Sequence, residues 1–242
     1  MDKNQEEVFV TQNIKEIHPI NKQQAYNFNR DYLHLGMHSE KWEDLVLNNS
    51  SFVPRWLAEK DDTIVQLIPY VICLNSKLEF LSYSRKGGGE GRLEGRRSIG
   101  IGGHVNIEDR ATELFGASSN PRNSWDTVLF GAEREVREEL LLPIDFKIRS
   151  HLTEVGRIYT PFDGENPENM RKTYTTPPVG AVHFGIIYML EVDDDVTIKD
   201  GEGMINPHFI SSSEALKDID KYETWSKMII ETLIEVKNQN KS

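Results

Sequence analysis

Three carboxylates, Glu135, Glu138 and Glu139, stand in the run Ala-Glu-Arg-Glu-Val-Arg-Glu-Glu-Leu-Leu-Leu over 132–142. On an α-helix, spacings of three and four residues put all three on one face. Like charges this close repel each other, so without a cation the arrangement costs stability. A cluster of hard oxygen ligands on a rigid element suits Mg²⁺ or Mn²⁺. The same run also reads as a solvated acidic face with Arg134 and Arg137 as its partners. Upstream, residues 98–106 read Ser-Ile-Gly-Ile-Gly-Gly-His-Val-Asn, an apolar, β-prone segment ending in Gly102-Gly103. A glycine pair at a strand end lets the backbone approach a ligand closely.

A Gly-Gly strand end followed by a helix carrying Arg-Glu-Val-x-Glu-Glu resembles the signature of the Nudix hydrolases. That signature is Gly, five residues, Glu, seven residues, then Arg-Glu-(apolar)-x-Glu-Glu-x-Gly-(apolar). Its second half matches at Arg134, Glu135, Val136, Glu138, Glu139 and Leu142. The chain departs from it in three places. Asp126 stands where the family has Glu, and Leu141 stands where it has its late Gly. Gly103 lies 31 positions before Arg134 against 14 in the family, so about 17 extra residues fall within 106–124. They are rich in turn formers, and an insertion in a surface loop is thermodynamically cheap.

The resemblance implies an α/β (α+β) fold: an α/β/α sandwich with a mixed sheet over about 63–237, plus a small N-terminal extension. It implies a metal-dependent hydrolase that cleaves the pyrophosphate bond of a nucleoside diphosphate derivative. Such a reaction needs neutralised phosphates, an oriented and deprotonated water, and a stabilised leaving group. The metal ligands would be Glu135, Glu138 and Glu139 with a backbone carbonyl of Gly102 or Gly103. Glu138 or Glu139 would orient or deprotonate the water. Arg134 joins the catalytic set as the residue fixing the glutamates, Glu138 being its i+4 neighbour. The family often adds a carboxylate from outside the motif; Glu202 is the first candidate, then Glu165 and Glu168. Asp126 suits the helix dipole and an outer-shell role. Arg85, Arg92 and Arg97, with Arg96, lie around the glycine-rich loop and could meet substrate phosphates. His104 could do the same, or satisfy a backbone group. For each of these residues an ordinary surface role stands beside the functional one.

The elements that would position these residues follow from patterning. Residues 63–74 read as a β-branched, apolar strand in which Pro69 suggests a bulge or an edge. Asn75-Ser76 is a turn and 77–85 the hairpin partner. Strand 97–105 carries the glycine pair. The helix should run from about Trp125 to Leu141 with Val128, Leu129, Ala132, Val136 and Leu140 facing the core, stopped by Pro143. Strand-rich stretches at about 146–159 and 179–193 flank a long loop, 160–178. A C-terminal helix is expected over 221–237, capped by Asp220 with Glu223, its stripe Tyr222, Trp225, Ile229, Leu233 and Val236. Residues 1–60 read as helices and loops, with a capping pair at Asn21 and Gln24 and a short helix over 39–47, ahead of a Nudix domain over 61–242. This extension either packs on the catalytic domain or forms a homodimer contact. Lys-Gly-Gly-Gly in 86–95 is no phosphate loop, because Gly-x-x-x-x-Gly-Lys-(Ser/Thr) is absent. Asp193-Asp194-Asp195 reads as a solvated strand end.

Composition bounds the rest. The net charge of −11 over 242 residues argues against an extended nucleic-acid surface. The one cysteine, Cys73, cannot form an intramolecular disulfide and lies in an apolar run, so a buried thiol is expected. No apolar run reaches about 18 residues, so no membrane span is expected. The N-terminus lacks the basic and apolar regions of a signal peptide, which points to the cytoplasm. Three other readings compete: a non-catalytic nucleotide sensor on the same fold, an isomerase of isopentenyl diphosphate type, and an interaction module built on 1–60. The isomerase relies on a cysteine in a Cys-Ser-His-Pro-like context, and Cys73 stands in Ile-Cys-Leu-Asn.

Overall fold

The longest apolar run becomes the longest strand. In the computed structural model, which describes residues 6–12, 32–37, 39–85, 95–110, 125–161, 177–199 and 204–239, it is the fourth of twelve strands. In chain order the elements are β1 (Glu7–Gln12), β2 (Tyr32–Leu35), α1 (Glu40–Asn48), β3 (Ser50–Pro54), α2 (Arg55–Ala58), β4 (Ile64–Leu74), β5 (Phe80–Arg85), β6 (Arg97–Ser98) and β7 (Gly100–Gly102). There follow α3 (Trp125–Glu139), β8 (Leu140–Leu141), α4 (Ile148–His151), β9 (Thr153–Tyr159), α5 (Val179–Val182), β10 (His183–Glu191), β11 (Thr197–Ile198), β12 (Met204–Ile210), α6 (Ser212–Ala215) and α7 (Thr224–Gln239). The chain divides into two compact units.

The first unit holds residues 1–69, 103–134 and 154–187. Here the N-terminal segment departs from the expected helices and loops. β1 pairs antiparallel with β3 and with the start of β4, where Val10 faces Gln66. The cause is burial: Val8, Phe9 and Val10 are 0–2% exposed, and β-branched side chains pack well on a pleated surface. Each such side chain taken from water contributes about 1.5–3 kcal/mol. The short helix expected over 39–47 is α1, with Ser39 accepting from the Trp42 N–H. Trp42 packs edge-on to Trp125, tilted against Phe184, with the Arg157 guanidinium 4.6 Å over its ring. β2 pairs antiparallel with β9.

The second unit holds 70–102, 135–153 and 188–242. Its hairpin forms as expected. The Asn75 side chain accepts from the N–H groups of Lys77 and Glu79 and closes the turn. β5 pairs with β6 and β12, and the end of β4 pairs with β7, Tyr70 facing Gly102. The β1 register on β4 stops at Gln66 and the β7 register starts at Tyr70, so neither calls on Pro69 for an N–H. Cys73 is fully buried, and burial pushes its thiol pKa up to about 12.

The stretch expected as strand over 146–159 opens instead with the helical turn α4, and that over 179–193 opens with α5. The C-terminal helix is α7, and its cap differs from expectation. Glu223 accepts from the N–H groups of Trp225 and Ser226, while Asp220 is exposed and meets Lys227. Tyr70 decides the matter: its hydroxyl donates to Glu223 at 2.6 Å and holds that carboxylate at the helix start. Of the expected stripe, Tyr222, Trp225 and Ile229 are buried, and Val236 is exposed.

Candidate active site

Helix α3 forms as its pattern demands. Val128, Ala132 and Val136 are 0% exposed along one stripe, and Leu129 is only half-buried. The other face carries Glu135 and Glu139, half-buried, and Glu138, exposed. The helix ends at Glu139, two residues before the expected Leu141, because Leu140 and Leu141 pair with Ile198 and Thr197. Lys199 closes the end: its N–H donates to the Glu139 carbonyl at 2.8 Å and its ammonium to the Arg137 carbonyl. A cation on the last carbonyls also suits the helix dipole.

Within the second unit the charges converge. The Glu139 carboxyl is pushed up in pKa by burial and then by the Glu138 charge, with Arg85 and Lys199 pulling the other way. Arg85, expected to reach substrate phosphates, lies inside this field. Burial works against its charge, and Tyr83, Glu223, Tyr70 and Glu135 outweigh that. Its Nε is buried without a hydrogen-bond partner among the described residues. Tyr83 links this field to the glycine strand: its hydroxyl donates to the Gly100 carbonyl at 2.7 Å, and the Glu139 charge helps to raise its pKa, after burial. Gly102 ends β7. Arg97 pairs with Asp218 at 3.4 Å and lies 5.8 Å over the Tyr222 ring, and Arg96 donates to the Asp220 carbonyl. Asp194 in the acidic run accepts from the Ser76 N–H and hydroxyl, which fits the solvated strand end.

In the first unit, Arg134 makes a contact that helical spacing does not reveal. Its guanidinium forks onto Asp109, Nε to Oδ1 at 2.8 Å and Nη2 to Oδ2 at 2.9 Å. Nη2 also donates to the His104 carbonyl at 2.7 Å. Asp109 Oδ2 accepts the Asn106 N–H as well, at 2.8 Å. The segment after Gly103 is thus tied to the helix through one buried carboxylate. Gly131 makes room for it, since a Cβ there would meet Val105 at 3.0 Å. Asp126 is half-buried in the first turn of α3. Arg92, Glu165, Glu168 and Glu202 lie outside the described residues, as do most of the insertion and the Asn21–Gln24 pair.

His104 belongs to a second cluster in this unit, whose other members the sequence reading missed. His104 Nε2 stands 3.2 Å from His183 Nε2, and Glu59 Oε1 stands 3.7 Å and 3.6 Å from the two. Gln66 Nε2 lies 3.2 Å from His183 Nε2. Burial lowers the His104 pKa despite Glu59. Burial alone would raise Glu59, but the His104 hydrogen bond and the charges of His183, His104 and Arg55 take it down to about 2. His104 and His183 are 79 positions apart, each alone in its local sequence, so periodicity carried no signal for the pair.

No family model matches the sequence. Protein YmaB of Bacillus subtilis (strain 168) is 31% identical over 180 residues, 73% of this chain and 74% of that protein. Among solved structures, Tm1382, described as a candidate Nudix hydrolase, matches with a TM-score of 0.62 at 23% identity, covering 95% of this chain and 99% of that one. The sheet and helices are those of the Nudix fold. With the Arg-Glu-Val-x-Glu-Glu helix, the Gly-Gly strand and this relationship together, the chain belongs to the Nudix family.

Proposed function

We propose that the protein is a Mg²⁺- or Mn²⁺-dependent hydrolase of the pyrophosphate bond in a nucleoside diphosphate derivative. One observation carries this reading: three glutamates share one face of α3, and burial together with the neighbouring Glu138 charge raises the Glu139 pKa. Half-buried like charges of this kind are relieved by a cation. Glu135, Glu138 and Glu139 would hold it, with a carbonyl from Gly102 or Gly103. A divalent cation there supplies phosphate charge neutralisation and a lowered pKa for the attacking water. Glu138, the most exposed of the three, has the freest approach to that water and would take its proton. Arg85 counterbalances the carboxylates from within the protein. The buried Cys73 thiol, with its pKa raised to about 12, offers no nucleophile or proton donor for isomerase chemistry.

The test is turnover. The purified protein is incubated with Mg²⁺ or Mn²⁺ and a panel of nucleoside triphosphates, dinucleoside polyphosphates, nucleotide sugars and dinucleotide cofactors, and released phosphates are measured. The expected result is metal-dependent release from one class, falling about 10²- to 10⁴-fold in Glu138→Gln or Glu139→Gln. Tight metal-independent nucleotide binding with no turnover of any compound would establish the sensor reading instead.

A further inference from the structure

We propose that Glu59, His104, His183 and Gln66 form a binding site for one zinc-class divalent cation, built from residues other than the helix carboxylates. The spacing fits. Zinc binds imidazole nitrogen at about 2.0–2.1 Å and carboxylate oxygen at about 2.0–2.2 Å, so neighbouring ligand atoms in a tetrahedral site stand roughly 3.3–3.5 Å apart. The two His Nε2 atoms and Glu59 Oε1 form a triangle with edges of 3.2, 3.6 and 3.7 Å. His183 is set up as a ligand: its Nδ1 donates to the Val179 carbonyl at 2.7 Å, which leaves the Nε2 lone pair facing the cluster. Metal-bound histidines make this outer hydrogen bond almost always.

Gln66 supplies an independent reason. The residue is 1% exposed and its Oε1 is buried without a hydrogen-bond partner. A hydrogen bond between the two histidines would satisfy the imidazoles and leave this oxygen orphaned, at a cost of about 1–3 kcal/mol. Gln66 Nε2 donates to the Val182 carbonyl at 3.5 Å; turning the amide over puts Oε1 in its place, 3.2 Å from the His183 Nε2 lone pair, so that two acceptors face each other there. A cation between them accepts both. Charge also permits it: Arg55, 3.7 Å from Glu59, is matched by Glu6 at 2.7 Å, which leaves Glu59 to offset the metal. Two imidazoles with a carboxylate and an amide oxygen suit zinc rather than Mg²⁺. Four protein ligands close the site, so its role is structural. It would pin the end of α2, β4, the chain leaving Gly103 and the start of β10.

The measurement is zinc content and affinity of the full chain, by elemental analysis and chelator competition, with Co²⁺ as an optical probe. We expect about one zinc per chain, surviving dialysis and removed by EDTA with a lowered melting temperature. Affinity should fall about 100-fold or more in His183→Ala and in Glu59→Gln, and stay unchanged in Glu138→Gln and Glu139→Gln. Co²⁺ should give the intense visible bands of a four-coordinate site, absent from His183→Ala. If His183→Ala does not fold, Gln66→Ala takes its place and should weaken zinc while its circular dichroism stays native. Zinc bound no tighter than about 1 µM, zinc unaffected by the ligand substitutions, or zinc lost in the helix-glutamate variants would overturn the proposal. The last outcome would leave the hydrolase reading standing.

Discussion

Removing the Arg134 fork should destabilise the protein by an amount the geometry lets one work out. Among the bonds of Arg134 are three charge-assisted ones, at 2.8 and 2.9 Å to Asp109 and 2.7 Å to the His104 carbonyl. The Asp109 side chain is 5% exposed and that of Arg134 is 27% exposed. Breaking a fully buried pair costs about 3–5 kcal/mol, because the remaining charge stays buried. Here water screens the arginine end, and Asp109 keeps the Asn106 N–H, so about 2–3 kcal/mol is expected for Arg134→Met. At about 2–4 °C per kcal/mol for a chain of this length, the melting temperature should drop by about 5–10 °C. Arg134→Lys keeps the charge but not the fork and should fall between. Urea unfolding of Arg134→Met, Asp109→Asn and the double variant gives the coupling, expected at about 1.5–2 kcal/mol. A coupling below about 0.5 kcal/mol would refute the clamp.

Three further outcomes follow from other contacts. Glu139→Gln should raise apo stability by about 0.5 kcal/mol, since it removes a like charge beside Glu138, and should abolish the stabilisation that Mg²⁺ or Mn²⁺ gives; paired melts in EDTA and in metal check both. Gly100→Ala should cost about 2–3 kcal/mol by overpacking, because its Cβ would fall 2.1 Å from the Tyr70 ring, which Glu223 and Ser226 hold in place; denaturant midpoints measure it. For Glu6, burial would raise the carboxyl pKa, but the Arg55 hydrogen bond and charge outweigh it, and the folded value lies below the ordinary 4.5. Its contribution is therefore complete above about pH 4.5 and disappears as pH falls through the lowered value. Arg55→Met should cost about 2 kcal/mol at pH 7 and less at pH 3, and an equal cost at both pH values, read from urea midpoints, would contradict the assignment.

What could be read from the sequence was local. The α3 stripe and the Asn75 turn depend on residues a few positions apart, and both formed where patterning put them. Strand β1 carries the short β-prone run Val8 to Thr11, but what makes it a buried strand is distant pairing, Val10 opposite Gln66. The α7 cap went to Glu223 rather than Asp220 because Tyr70, 153 residues away, donates to it. Glu59 and His183 stood out in no local pattern. In each case the missing information was a long-range partner.

The same distinction applies to the two ends of the segment before the glutamate helix. Helical spacing offers Glu138 as a partner for Arg134, but the fork goes to Asp109, 25 positions earlier. Asp109 is a strong acceptor because it is buried and its orientation is already fixed by the Asn106 N–H. The extra residues lie almost wholly after this anchor and end where Trp125 opens α3. The described residues on either side of 111–124 are therefore fastened, Asp109 by the Arg134 fork and Trp125 by the helix itself. Loop length costs only about 0.6 kcal/mol per doubling once its ends are fixed. Lengthening the chain between Asp109 and Trp125 should therefore cost little stability in the native protein and more in the Asp109→Asn variant, where one anchor is loosened.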